Sequence, residues 1–578
     1  MKITKIVLSS LLMIFISFTA CNDDEFLEVL PPGSLAEDQL QTRAGLEASL
    51  IASYSTLLGR RGSWSDASNW FWGGVLGGDA NKGTDPGDAS QLNEIMRYEP
   101  QAVNDAIEQI YSTNFEGIAR ANATLRILAN VGDDVSAEFK TRIEGETRFL
   151  RAHYYFALKR IFNNVPYVDE TWDGEELVPN NRDLYEFIEA DFQFAFDNLP
   201  ETQSEAGRAN KWAAGAYLGK AFIFQEKFAE AKAILDQVIA DGVTASGDKY
   251  DLLPNYPDAF RMANDNSPES VFASQAAANT GTTQNANPGL VLNFPHGGTG
   301  RPGGCCGFNQ PSFDLANSFR TDANGLPLLD GSYNDAGNAL VSDNGVTETE
   351  DFTPDAGNLD PRLDHSIGRR GIPYLDWGNH PGVPWIRNQP NGGPYSPKKF
   401  IYSLAGEGTE NDGSSWTPGY TAVNYNIIRF ADVLLLAAEA EVALGNLETA
   451  RALVNRVRER AANSILTKAD DTPAANYVIS TYDAAWTDQA VAREAVRFER
   501  KLELSGEGHR FFDLVRWGIA AETLNAYLVH ENANLSASPL VGATFTAGVN
   551  EYLPLPQREL DLINGAGEII LVQNPGYN

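Results

Sequence analysis

The stretch NYNIIRFADVLLLAAEAEVALGNLETARALVNRVRERA, Asn424 to Ala461, decides the fold. It reads as two helices around a tight turn at Leu444-Gly445-Asn446. In the first, Ile428, Ala431, Leu434, Leu435 and Ala438 recur at the i, i+3, i+4 spacing that builds one buried stripe. In the second, Ala450, Leu453, Val454 and Val457 do the same. Gly and Asn in the turn accept the left-handed conformation that ends a helix. Ala438 and Ala450 are small residues, twelve apart, placed where two helices must approach closely.

That spacing marks the tetratricopeptide hairpin, a unit of about 34 residues. Asn210 to Gly242 repeats it, with Gly219 and Ala231 twelve apart and Leu235 and Val238 in the places of Val454 and Val457. A weaker copy starts at Thr141, and its second helix, Leu184 to Leu199, follows only after a loop. Leu40 to Leu58 and Val103 to Asn130 are helical in period and make a further hairpin, split by a long insertion. Such hairpins cannot bury their faces singly, so they stack. Unrelated amphipathic helices that happen to align are the competing reading.

Lys2 and Lys5 precede an apolar run from Ile6 to Phe18, followed by Thr19-Ala20-Cys21. This is the pattern of a secretory signal over residues 1–20. The run is shorter than the roughly 20 apolar residues a spanning helix needs. Cys21 at the cut resembles a lipobox cysteine, the expected site of lipid (palmitate) attachment and the anchor to the membrane. The next residues, Asn22-Asp23-Asp24-Glu25, resemble the acidic tag that sends lipoproteins to the surface of Bacteroidetes-type bacteria.

The mature chain, 21–578, reads as a single unit, with an N-terminal region of about 21–240 and a C-terminal region of about 270–578. Formal net charge is −33, from 44 basic and 77 acidic residues, which makes nucleic acid a poor partner. Ten Trp and 21 Tyr on a secreted acidic chain suit neutral ligands with apolar faces, sugars among them. With 6 His there is no HExxH, no GxSxG and no CxxC, so no catalytic residue, metal ligand or cofactor site is assigned.

Gly and Pro concentrate in Gly59–Gly87 and Asn279–Gly419, between the helical segments. The first of these holds Trp64, Trp70, Phe71 and Trp72, four aromatics in nine residues. Long loops within a helical framework are functional or disordered, and this aromatic density argues against disorder. A sugar site needs flat rings to stack on and planar polar groups for paired hydrogen bonds. Trp72 is the first candidate because glycines follow it and leave room. Trp70 and Trp64 come next, with Asp66 and Asp79 as acceptors. The irregular insertion over 279–418 adds Cys306, Arg370, Trp377, Trp385 and Tyr395, and the two segments are expected to converge. Competing roles are structural: a Trp can plug the loop, and Arg362, Arg369 or Arg370 can pair with Asp360 or Asp364. Cys305-Cys306 is either a ring closed by a disulfide or two buried thiols.

Several motifs in one order carry a resemblance: RFLRAHYYF from Arg148, RFADVLLLAAEA from Arg429, FERKLELSGEGHRFFDLVRWG from Phe498, YLPLPQREL from Tyr552, and QNPGY from Gln573. Together they make the chain similar to the SusD/RagB family of outer-membrane nutrient-binding lipoproteins. Ser505-Gly506-Glu507-Gly508 departs from the family pattern and is expected to affect packing only. The resemblance implies a mainly α, SusD-like fold of four tetratricopeptide-like hairpins with large irregular insertions. It also implies an outer-membrane lipoprotein facing the extracellular side. Such a protein captures an oligosaccharide or polysaccharide and hands it to a TonB-dependent, SusC-like transporter. A fructan-binding branch of the family places a Cys in its sugar pocket, which puts fructan among the candidates through the GGCCGF loop. A secreted glycoside hydrolase and a protein-interaction scaffold built on the repeats are the alternative readings.

Overall fold

The computed structural model describes residues 37–59, 62–565 and 567–577. The signal segment and Cys21 lie outside the described residues. The expected hairpins form as helix pairs. Arg43–Tyr54 packs on Asp105–Ala129, and Ala137–Phe162 packs on Tyr185–Asn198. Lys211–Ile223 pairs with Phe228–Asp241, and Phe430–Ala443 with Leu447–Ala462. Side-chain caps set several helix starts: Thr42 accepts from Gly45 N at 3.0 Å, and Asn210 accepts from Ala213 N at 2.8 Å. Each satisfies one of the amide groups a helix leaves free at its N-terminus.

The twelve-residue spacing has the expected meaning. A Cβ built on Gly219 would lie 2.5 Å from the Leu235 side chain, so only hydrogen fits between these helices. Ala438 and Ala450 are fully buried at the equivalent crossing. The Phe430–Ala443 helix is buried from Phe430 to Val442, on all of its faces. A helix buried all round belongs in the middle of a stack, with neighbours on several sides. In its turn, Gly445 takes the left-handed conformation at φ 82°. Asn446 does not; its side chain instead donates to Glu441 at 2.7 Å.

Two expectations change. Residues Tyr425–Arg429, read as the start of a helix, form a strand antiparallel to Ser270–Ser274, with Ser270 opposite Arg429. The run YNIIR has β-branched and aromatic residues buried on both sides, which suits a strand better than a helix turn. The second change concerns Ser505–Gly508. Glu507 accepts from Arg429 Nε at 2.7 Å and from Lys399 Nζ at 2.6 Å, so this turn is an ionic junction and more than a packing detail.

The insertion 279–418 is mostly irregular and is held by short two-stranded sheets. Ala80–Gly83 pairs with Phe308–Pro311, Ile367–Gly368 with Ser396–Pro397, and Asn411–Asp412 with Tyr420–Thr421. The first of these joins the early insertion directly to the late one. No described helix is long and apolar enough to cross a membrane.

Ala438→Trp is expected to lower the melting temperature, because overpacking a closed crossing costs roughly 1–3 kcal/mol or more. Thermal unfolding followed by circular dichroism checks this. An unchanged midpoint would mean that the two helices do not meet at Ala438.

Candidate functional site

The early insertion does not present its tryptophans. Trp70–Val75 is a turn of π-helix that enters the core, and Trp70 and Trp72 are each 1% exposed. The Trp70 indole donates to Ser63 O at 2.8 Å and the Trp72 indole to Trp64 O at 2.6 Å. Phe71 meets both rings edge-on, at centroid distances of 5.6 and 5.2 Å. Gly73, directly after Trp72, does not leave room for a ligand: a Cβ there would lie 1.8 Å from the Gly508 carbonyl oxygen. Its missing side chain lets one backbone press against another. Trp64 is half-buried and packs on the same core.

Asp66 and Asp79 are buried as well. Asp66 accepts from Ser68 N at 3.0 Å and Asp79 from Gly506 N at 3.1 Å. Burial pushes each carboxyl up to about 6, which marks them as interior groups rather than rim acceptors. Tyr395 lies against Phe313 in a second small core. Arg369 makes a paired contact with Asp364 at 2.6 and 2.9 Å, and Arg362 one with Asp360 at 3.0 and 2.8 Å. Arg370 spends its fork on the carbonyls of Thr347, Glu348 and Glu350. Trp72, Trp70, Asp66, Asp79, Tyr395 and Arg370 are therefore corrected from ligand contacts to structural groups.

The late insertion is different. Phe294, Tyr374, Trp385, Ile401 and Tyr402 form a separate buried cluster, and Leu375 and Trp377 pack onto it. Trp385 is part of this support and not a stacking face. The cluster pins the loop 296–307 by its edges. Tyr402 Oη accepts from Gly303 N at 2.7 Å, Trp385 O accepts from His296 N at 2.8 Å, and Thr417 Oγ1 donates to Gly303 O. Arg301 donates to Gly298 O at 2.7 Å and to Gly304 O at 2.6 Å, closing the loop on itself.

On this support sits the Cys305–Cys306 disulfide, with Cys306 buried and Cys305 half-exposed. Gly304 lies against Pro418, which brings in the neighbouring segment Trp416-Thr417-Pro418-Gly419-Tyr420. Trp416 is 59% exposed, its indole donates to Tyr420 Oη at 3.0 Å, and the two rings meet edge-on. An exposed indole with its N–H already engaged offers an open apolar face. Trp377 is half-buried nearby and donates to Tyr402 O at 3.0 Å.

The two insertions do meet. Arg387 donates to Asp85 at 2.8 Å, to Thr84 at 2.9 Å and to Asp88 at 2.5 Å, while Asn388 donates to Asp85 at 2.9 Å. These bonds, with the Arg387 charge, hold Asp85 below the usual carboxylate range. His296 and Arg387 both flank Gly307, next to the disulfide. Burial, with Arg387 and Arg301 nearby, pushes the His296 imidazole below its ordinary value, so it is neutral at pH 7. The surface thus combines an open indole, a sulfur plate and a neutral imidazole. Among the described residues no group of three or more His, Cys, Asp or Glu is placed to hold a metal. Trp416, Tyr420, Arg301 and His296 escaped the sequence reading. Their signal was a single aromatic pair in a Ser/Pro/Gly-rich loop, too sparse for any periodicity.

Comparison with known proteins places the chain among SusD proteins. A family model described as the SusD family matches residues 268–577, and one described as "Starch-binding associating with outer membrane" matches 26–223. The SusD-like protein P2 of Formosa agariphila is 25% identical over 594 residues, covering 100% of this chain and 99% of that one. A SusD-like protein of Bacteroides ovatus is 29% identical over 273 residues, 45% of this chain and 47% of that one. Among solved structures, a laminarin-binding SusD-like protein is 26% identical with a TM-score of 0.64, over 92% of this chain and 99% of that one. A SusD superfamily protein of Bacteroides vulgatus superposes with a TM-score of 0.67 at 20% identity, over 93% and 100%, a likeness of fold.

Trp72→Ala is expected to destabilise the chain by about 3–5 kcal/mol, the cost of emptying a core site of an indole. Chemical denaturation measures it. A loss under about 1 kcal/mol, together with weakened sugar binding, would return Trp72 to a ligand site.

Proposed function

Because this chain belongs to the SusD family, we propose that it is a surface lipoprotein that captures a glycan and delivers it to a TonB-dependent, SusC-like transporter of the outer membrane. Lipid on Cys21 anchors it, and the binding surface faces the extracellular side. The observation that supports this reading best is the open Trp416–Tyr420 pair beside the Cys305–Cys306 disulfide. Sugar rings carry apolar C–H faces, and an aromatic face in water is a partner for them. Trp377 is the second ring in reach of the same loop cluster.

The loop is already packed and hydrogen-bonded onto a buried aromatic cluster, so binding has less chain to order. That keeps more of the contact energy as affinity. The reading is of a neutral chain: Arg387 is neutralised by Asp85 and Asp88, and Arg301, without a carboxylate partner, is turned onto the backbone carbonyls of its own loop. The similarity to a laminarin-binding protein makes laminarin the first ligand to try, and the Cys-bearing loop makes a fructan the second.

Two experiments test the reading. A panel of neutral polysaccharides, laminarin and levan included, is titrated against the mature chain and against Trp416→Ala. Loss of stacking should weaken the bound glycan at least tenfold, about 1.4 kcal/mol, with the melting temperature unchanged. Equal affinity in the two proteins would place the site away from Trp416. In cells, Cys21→Ala should move the protein from the membrane to the soluble fraction; retention on the membrane would refute the lipid anchor.

A further inference from the structure

Away from the loop cluster, a cleft of about 180 Å³ opens between the end of the Ala137–Phe162 helix and the Arg510–Arg516 helix. Arg160, Asn163, Tyr185, Phe512 and Tyr552 line it, and none of them belongs to the candidate glycan surface. Arg160 is the unusual member. Its Nε donates to Phe156 O at 3.3 Å, and its guanidinium lies 4.6 Å from the Phe156 and Phe512 ring centres. Among the described residues no carboxylate forms an ion pair with it. Its neighbours are paired: Lys159 with Asp183, Arg516 with Glu439, and Arg151 with Asp191.

In a chain of net charge −33, acids are plentiful and buried cations normally find one. An arginine held between rings, half-buried and aimed into an open cleft, has a planar fork left for an outside acceptor. Part of its presence follows from position, since a cation in the last turn of a helix meets the negative end of the dipole. That explains the charge and does not use the fork. Asn163 adds a planar amide at the same mouth, and it sits at φ 59°, a conformation that non-glycine residues rarely adopt. Tyr185 and Tyr552 add half-buried hydroxyl-bearing rings.

We infer that this cleft is a second glycan subsite, selective for a sugar that carries a carboxylate, with Arg160 gripping the uronate. The inference rests on the glycan reading above: rings, an amide and Arg160, the one cation of the lining without a carboxylate partner beside the paired Lys159 and Arg516, surround a cleft sized for a single acidic pyranose. It takes an isolated uronate in an otherwise neutral chain.

Calorimetry on the full-length chain in detergent, with three probes, tests it: methyl glucuronide, methyl glucoside and acetyl-glutamate amide. Methyl glucuronide should bind at least tenfold more tightly than either of the others. Arg160→Met, which keeps the stem between the rings, should lose that binding at least tenfold. Arg160→Lys, which keeps the charge without the fork, should recover only part of it. Neutral glycan binding at Trp416 should be unchanged in both variants, and that is the readout a general loss of structure would move. Three results overturn the inference: no glucuronide binding by the unaltered chain, equal binding of acetyl-glutamate amide, or equal binding by Arg160→Met. In each case the neutral glycan titration still reports separately on the function proposed above.

Discussion

A buried lattice of arginines and carboxylates holds this molecule together, and it is centred on Glu503. Arg429 donates to Glu503 at 2.6 Å, Arg362 donates at 2.9 Å, and Arg460 makes a third contact. One turn earlier, Glu499 takes Arg362 at 2.6 Å and Arg458 at 2.8 Å. Glu269 takes Arg429 at 2.8 Å and Arg460 at 2.9 Å. Burial alone would raise the Glu503 carboxyl; the guanidiniums of Arg460, Arg429 and Arg362 reverse that and hold it well below the usual carboxylate range. A lattice of this kind adds little net stability over apolar packing, but breaking one member typically costs 3–5 kcal/mol because a bare charge is left behind. Its consequence lies in docking. Through it the Gln489–Glu503 helix is bonded at once to the Leu447–Ala462 helix, the Tyr425–Arg429 strand and the 360–366 turn.

That docking reaches the candidate site. Lys399 is tied to Glu507, and Phe400, Ile401 and Tyr402 follow it into the cores beneath the loops. Tyr402 then fixes Gly303, two residues before the disulfide. The chain of contact therefore runs from the repeat framework, through one lysine, to the exposed surface. Irregular loops usually owe their mobility to few buried contacts. Here the loops have a small core of their own, which is why so much non-repetitive chain can keep one shape.

The repeats were legible because their physics is periodic. Gly219 and Ala231, or Ala438 and Ala450, mark helix crossings wherever the chain bends back at a fixed distance, and Leu235 against Gly219 is the contact that spacing anticipates. Local acid–base pairs were legible too: Arg362 with Asp360 and Arg369 with Asp364 are only two and five residues apart. The tryptophan loop was not. Trp72 followed by glycines has the composition of an open stacking site and of a tight backbone crossing alike. What decides between them is Gly508, more than 400 residues further on, and no local pattern carries that distance. Trp416 is the converse, an isolated ring whose exposure depends on where Pro418 meets Gly304.

The same accounting of charge narrows what the outer surface can recognise. Arg362, Arg429, Arg458 and Arg500 are all among the largest fully buried side chains, and each is matched to interior acids. Each of these guanidiniums is buried together with its acids, so the pairing withdraws charge of both signs from the surface. At the loop cluster the remaining guanidiniums, Arg301 and Arg387, already have acceptors within the protein. A ligand there meets rings, a disulfide and hydroxyl groups, with Arg387 neutralised by two carboxylates and Arg301 hydrogen-bonded only to backbone carbonyls. Arg160, like Arg301, has no carboxylate ion pair among the described residues, and it differs in lining a cleft. It is a guanidinium that the lattice did not consume, in a cleft where an isolated acidic sugar can reach it.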